Sequence, residues 1–363
     1  MKIVIIHMGR KGAGPVYSLE MAKALNKEGH QIYYYASKQV ENIEFIKNES
    51  FSCRFFNTYD SKFSYFMSIL IPITIKNVVK SIKRDNPDIV YLTMNDLWAP
   101  FIFPKIKGIT RVKTIHDVGI HEGNNSWFNK WWNSTNFKDA EKFVILSKVF
   151  ISTLLNKGIH AKNISVIPHA GFDFYTNYNV CKYKDFSFSL LFFGRIDKYK
   201  GIAMLLDAMP LIIDKYPNVS LKIVGNGDIS EYDDKINRVK KNVTIINRWI
   251  HDNEVATYVS NCDIVVLPYT HATQSGVIPL AYAFSKPVVA TNVGGLREQV
   301  IEGQTGIIVD EINKEALANG IISLLSNPQK TQLMGQQAYK YMHENLTWSA
   351  SAKQFLKLVG LNK

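Results

Sequence analysis

The sequence predicts an α/β protein made of two doubly wound, Rossmann-like domains facing a cleft. Three observations carry this expectation. Short runs that are apolar at every position alternate with amphipathic stretches along the whole chain, as parallel strands covered by helices on both faces require. The alternation runs twice. Between the two passes, near residues 170–188, GFDFYTNYNVCKYKDFSFS loses all periodicity and is rich in Asn, Tyr, Lys and Ser. Finally, 363 residues exceed one ordinary core, so two domains are the prior.

Taken in order, KIVIIH (2–7) reads as the first strand. A glycine turn follows, and VYSLEMAKALNKEGH (16–30) reads as a helix with Gly29 at its end. QIYYYAS, DIVYL, VKTIHD, KFVILS and NISVIPH continue as short strands, with helices between most of them. In the second pass LLFFGR leads to a helix over 201–215, and VSLKIVG, VTIIN, DIVVLPY, KPVVAT and TGIIV follow as strands. LTWSASAKQFLKLV (346–359) reads as a short amphipathic helix. The expected division is 1–172, 173–345 and a terminal helical segment 346–363. Ligands of such domains sit at the carboxyl ends of strands.

Hydrophobic residues make up 46% and charged residues 20%, a globular balance. Cys53, Cys181 and Cys262 lie far apart and form no CxxC pair, which argues against a disulfide framework or zinc site and for a reducing, cytoplasmic setting. MKIVIIHMG has too short an apolar run for a signal peptide. FSYFMSILIPITI (63–75) is too short for a membrane span and carries Pro72. It reads as a core helix or one lying on a surface. The net charge is +12, and residues 1–172 hold 23 Lys and Arg against 13 Asp and Glu. That excess suits an anionic membrane face. Nucleic acid is not expected, because no recognition-helix, zinc-finger or aromatic RNA-binding signature accompanies it.

Several strand ends carry ligand-type loops. Gly9, Gly12 and Gly14 follow the first strand and precede a helix whose free N–H groups favour an anion. The dinucleotide fingerprint is not met, because Tyr17 stands where its third glycine belongs. TIHDVGIHEG sets His116, Asp117 and His121 at another strand end, expected to face the cleft and not to hold a metal. In LLFFGRIDKYKG, Arg195 directly follows an apolar strand and Lys200 precedes Gly201 at a helix start. A forked guanidinium and an ammonium suit a diphosphate, more so as it departs with growing negative charge. In VVLPYTHATQSGVIPLAYAF the backbone N–H groups of Ser275, Gly276 and Val277 are expected to face a phosphate, and Glu298 follows the next strand in TNVGGLREQV.

Together these pieces resemble the retaining glycosyltransferases of family 4, with the GT-B fold. The resemblance rests on the early glycine loop, HD at 116–117, GRxDxxKG at 194–201, the helix after PY, KPVVATNVGG with Glu298, and EGQTGIIV. It covers nearly the whole chain. It implies an N-terminal acceptor-side domain, a C-terminal nucleotide-sugar domain, and a last helix packing back on the first. It further implies that Arg195 and Lys200 hold the diphosphate, that Gly12 to Gly14 lie near the phosphates and acceptor, and that His116 sits beside the donor sugar. Asp117, Gln274 and Glu298 are the remaining donor-side candidates. No metal or other cofactor is implied, since the protein's own cations meet the diphosphate.

One departure stands out. The family often carries two glutamates eight positions apart before and within the helix preceding the PVV strand. Ala272 and Leu280 occupy those positions. The chain is expected to rely on Gln274 and the helix N-terminus instead. The expected activity is retaining transfer from a UDP- or GDP-sugar to a glycan, lipid-linked for preference, in polysaccharide or O-antigen type synthesis. The apolar 63–75 segment, WFNKWW (127–132) and the basic first half suit such an acceptor at an inner membrane face, while Trp127, Trp131 and Trp132, at helical spacing, read equally as core. Backbone near Arg248–Ile250 is expected to meet the base. The alternatives are a nucleotide-sugar epimerase or hydrolase of the same fold, which needs a carboxylate pair, and an inactive binding module in which the absent glutamates mark lost activity.

Overall fold

Runs of Val, Ile, Leu and Tyr with no polar alternation can only be strands buried on both faces, and they form two all-parallel sheets. The computed structural model describes residues 1–61, 63–64, 67, 72–94, 98–116, 135, 137–181 and 188–361. They group into two compact units, Met1–Pro168 with Trp348–Lys363, and His169–Thr347.

The first unit carries β1 (Lys2–His7), β2 (Gln31–Ser37), β3 (Ser52–Phe56), β4 (Ile89–Leu92), β5 (Thr110–Ile115), β6 (Lys142–Ile145) and β7 (Ile164–Val166). Their order across the sheet is β3-β2-β1-β4-β5-β6-β7. β1 therefore pairs on one side with β2, Val4 opposite Tyr33, and on the other with β4, Val4 opposite Val90. The chain reverses its direction of winding there, which opens the carboxyl end of β1. Helix α1 (Ala13–Lys27) starts three residues earlier than its periodicity indicates. Pro15 is tolerated because first-turn N–H groups have no intrahelical partner. Helix α2 (Ile73–Asp85) buries Ile75, Val78, Val79 and Ile82 against the core built by Val4, Ile6 and Val90. β3 escapes the sequence pattern. It is a short edge strand with Arg54 at its centre, and that guanidinium pairs with the buried carboxylate of Asp85. The helix Trp348–Leu358 completes this unit. Phe355 is fully buried, its ring centroid 4.5 Å from that of Tyr91.

The second unit carries β8 (Phe188–Phe193), β9 (Val219–Gly225), β10 (Val243–Asn247), β11 (Ile264–Leu267), β12 (Val288–Thr291) and β13 (Gly306–Val309). Their order is β10-β9-β8-β11-β12-β13, with the winding reversed between β8 and β11. Helices α3 (Ile202–Lys215), α4 (Val277–Ala283), α5 (Leu296–Gln299), α6 (Lys314–Leu325) and α7 (Pro328–Asn345) follow in turn. Residues 170–181 are no bare linker. Phe172, Phe174 and Tyr175 are buried, and Gly171 donates its N–H to the Leu346 carbonyl at 2.9 Å.

Candidate active site

In the second unit the loops after β8 and β11 flank the point where the winding reverses. β8 ends in Gly194, at φ +126°, and the chain stays tied to β9 by Gly194 N–H to Val224 O and Ile196 N–H to Asn226 O, both 2.9 Å. Arg195 lies between those two bonds and its side chain is exposed. A single 3-10 turn, Lys198–Lys200, follows and ends in Gly201 at φ +70°. A Cβ on Gly201 would fall inside the envelope of the Pro268 carbonyl oxygen. The glycine thus permits the left-handed turn and the close approach of the β8 and β11 loops together.

Arg195 and Lys200 converge on Tyr199. Arg195 Nη2 donates to the Tyr199 hydroxyl at 3.4 Å. The Lys200 ammonium lies 5.1 Å from the Tyr199 ring centre and 3.8 Å from that of Tyr269. Lys198, by contrast, bridges Glu231 at 3.0 Å. Among the ion pairs of the described residues, neither Arg195 nor Lys200 meets a carboxylate. Both cations thus contact aromatic side chains, and neither is ion-paired among the described residues.

The neighbouring loops are laced to this one. Thr270 N–H donates to Tyr199 O at 2.8 Å, and the Thr291 hydroxyl to Tyr269 O at 2.5 Å. Gly294, at φ +50°, lets the carbonyl of Ala272 pack against it. The N–H groups expected to await a phosphate are partly engaged. Ser275 N–H donates to Gln299 Oε1 at 2.8 Å, Gln299 Nε2 returns a bond to Ser275 O at 3.0 Å, and Val277 N–H donates to Ser275 Oγ at 3.3 Å. Gly276 packs over the rings of His169 and Phe172. Gln274 Oε1 is buried without a hydrogen-bond partner. Glu298 is exposed in the first turn of α5. Arg248, at the end of β10, is held by Glu254 Oε2 at 2.9 Å and Trp249 O at 3.0 Å. Tyr199, Tyr269 and Gln299 were not singled out from sequence. The signal for the two tyrosines was their place inside the GRIDKYKG and VVLPYT loops.

In the first unit His116 ends β5. Its Nε2 donates to the Thr93 carbonyl at 2.8 Å. Tyr17 packs edge-on against His116 at 5.2 Å and against Trp348 at 5.1 Å. Asp117, His121 and WFNKWW lie outside the described residues, as does part of the 63–75 segment. Gly14 belongs to α1 and not to the loop before it. A Cβ there would meet His7 Cε1 at 2.8 Å, and one on Gly9 would meet His7 Nε2 at 2.5 Å. These two glycines are thus required by a histidine beneath them, while Gly12, at φ +81°, is required by its backbone.

The family model described as Glycosyltransferase Family 4 matches residues 14–170, and that described as Glycosyl transferases group 1 matches residues 187–327. An uncharacterized glycosyltransferase of Methanocaldococcus jannaschii is 28% identical over 244 residues, 66% of this chain and 65% of the relative. Phosphatidyl-myo-inositol mannosyltransferase of Mycobacterium tuberculosis is 28% identical over 179 residues, 47% of this chain and 46% of the relative. The matched stretches thus span less than two thirds of these relatives. In fold, the chain is similar to Anabaena HepE, solved in complex with UDP and glucose, with a TM-score of 0.75 and 18% identity over 99% of each chain. Two parallel sheets and the two adjoining family matches agree: the chain joins a Glycosyltransferase Family 4 domain to a Glycosyl transferases group 1 domain, in the GT-B fold.

Proposed function

We propose that the protein moves a sugar, with retention, from a UDP- or GDP-sugar to a glycan acceptor, and that Arg195 and Lys200 bind the leaving diphosphate. The observation that carries this reading is the absence of a carboxylate beside either cation among the described residues. A cation without an internal counter-ion keeps its charge available for a ligand. As the glycosidic bond to phosphate breaks, negative charge grows on the diphosphate and positive charge on an oxocarbenium-like sugar. The two cations stabilise the first change. Ala272 and Leu280 stand where a carboxylate is expected, and Leu280 is buried, so neither offers a nucleophile. Front-face attack, with the departing phosphate taking the acceptor's proton, fits such a site. No metal enters this scheme.

HepE holds UDP and glucose, which favours a uridine donor. The mycobacterial relative is named for phosphatidyl-myo-inositol, which favours a lipid-linked acceptor. Helix α2 adds support, since Lys76, Lys80, Lys83 and Arg84 are all exposed along it and Ile73 is 62% exposed at its start. No helix among the described residues is long and apolar enough to cross a membrane. The reading is a cytoplasmic enzyme resting on an inner membrane face.

The test is donor turnover with a panel of UDP- and GDP-sugars in the presence of EDTA. Arg195→Ala and Lys200→Ala are each expected to lower turnover by about 100-fold, the scale of one lost transition-state contact, and EDTA to leave the parent rate unchanged. Unaltered turnover in both variants overturns the diphosphate role, and loss of activity in EDTA overturns the metal-free scheme.

A further inference from the structure

We infer that Tyr269, with Tyr199, is the positioning residue of the diphosphate site, an aromatic platform that fixes the two cations without neutralising them. This rests on the reading of Arg195 and Lys200 given above. A lysine ends in a compact charge on a flexible four-carbon stem, so an ammonium that must meet a diphosphate loses affinity to its own freedom of movement. A carboxylate neighbour would hold it in place but cancel its charge. A ring face holds it by its quadrupole and leaves the charge whole.

The two rings are built for that task. Tyr269 is 1% exposed and Tyr199 8%. Each is fixed at both ends. The Tyr269 hydroxyl lies 3.3 Å from Ser275 Oγ, and its carbonyl accepts the Thr291 hydroxyl. The Tyr199 hydroxyl accepts from Arg195, and its carbonyl accepts the Thr270 N–H and, at 3.3 Å, the Thr270 hydroxyl. The Lys200 ammonium rests on the Tyr269 face at 3.8 Å from its centre. The rings come from the ends of different strands, β8 and β11, which Gly201 brings into backbone contact. The platform therefore forms only when both loops are in register, and it sets the distance between guanidinium and ammonium.

The experiment places phenylalanine and its mono-, di- and trifluorinated analogues at position 269 and measures binding of UDP, GDP and uridine by calorimetry. Fluorine drains the ring face with little change of shape. Tyr269→Phe is expected to bind within about twofold of the parent, since the face is kept. Affinity for the nucleoside diphosphate is then expected to fall stepwise with each fluorine, by about tenfold in all, while uridine affinity stays level. Tyr269→Leu is expected to show the same selective loss, and the fluorinated series stands in for it if that variant does not fold. A flat series with the parent still binding UDP or GDP overturns this inference alone. Equal losses for UDP and uridine do the same, because they report a general loosening of the unit. A parent that binds neither diphosphate overturns the reading beneath it as well.

Discussion

His7 is a histidine with nowhere to place a proton. It is 3% exposed, and neither ring nitrogen has a hydrogen-bond partner. Burial, and then the nearby His116, lower its pKa from 6.5 to about 3. An unfolded chain takes up a proton at this position below pH 6.5, whereas the folded chain refuses it down to about pH 3. The stabilisation is therefore complete above pH 6.5 and is lost progressively as the pH falls through that window, by about 1.4 kcal/mol per unit. His7→Leu removes the titrating group and is expected to unfold at a urea midpoint less sensitive to acid, so that its stability relative to the parent rises from pH 7 to pH 4. Parallel curves would show that His7 finds a proton acceptor in the folded state. The special character of Gly9 and Gly14 was legible in sequence, but its cause was not. A glycine near a strand end looks the same whether it makes room for a ligand or for a neighbouring ring.

At the scale of elements, the strand-end loops of the second unit stand or fall together. Gly201 sits at φ +70° with no room for a Cβ beside the Pro268 carbonyl. Alanine there must both enter the left-handed region, at about 1 to 2 kcal/mol, and push the β8 and β11 loops apart. Gly201→Ala is thus expected to cost about 3 kcal/mol or more in total, seen as a lower unfolding midpoint, and to weaken diphosphate binding because Tyr199 and Tyr269 separate. An unfolding free energy within about 0.5 kcal/mol of the parent, the scatter of neutral surface changes, would show that the loops do not need this contact. The parallel strands were legible because burial on both faces leaves no polar alternation. β3 was not, since an edge strand with Arg54 at its centre has no such run. Nor was the lacing of Ser275 to Gln299, because nothing in the order of residues says which loop's amide will satisfy which backbone.

Over the whole molecule the charge is the property with the longest reach. The net charge is +12, and residues 1–172 hold 23 basic against 13 acidic residues. On α2 part of that excess is ordered. Lys76, Lys80 and Lys83 or Arg84 recur every three or four residues, which sets them along one side of a helix, and all four are exposed while Ile75, Val78, Val79 and Ile82 face the core. The composition foretold the sign and the half of the chain, and only the structure shows that the residues form a stripe. A basic side chain near an anionic surface contributes about 1 kcal/mol, so four of them together contribute a sedimentation-scale affinity that screening removes. The protein is expected to pellet with phosphatidylglycerol vesicles at about 20 mM salt and to be released at about 500 mM, where the Debye length has fallen well below the 10 Å it has at 0.1 M. Replacing Lys76, Lys80, Lys83 and Arg84 by Gln is expected to abolish pelleting at low salt while leaving UDP binding intact, because none of the four lies in the second unit. If the fourfold variant still pellets as the parent does, the stripe is only a solvated helix face, and the acceptor need not lie at a membrane.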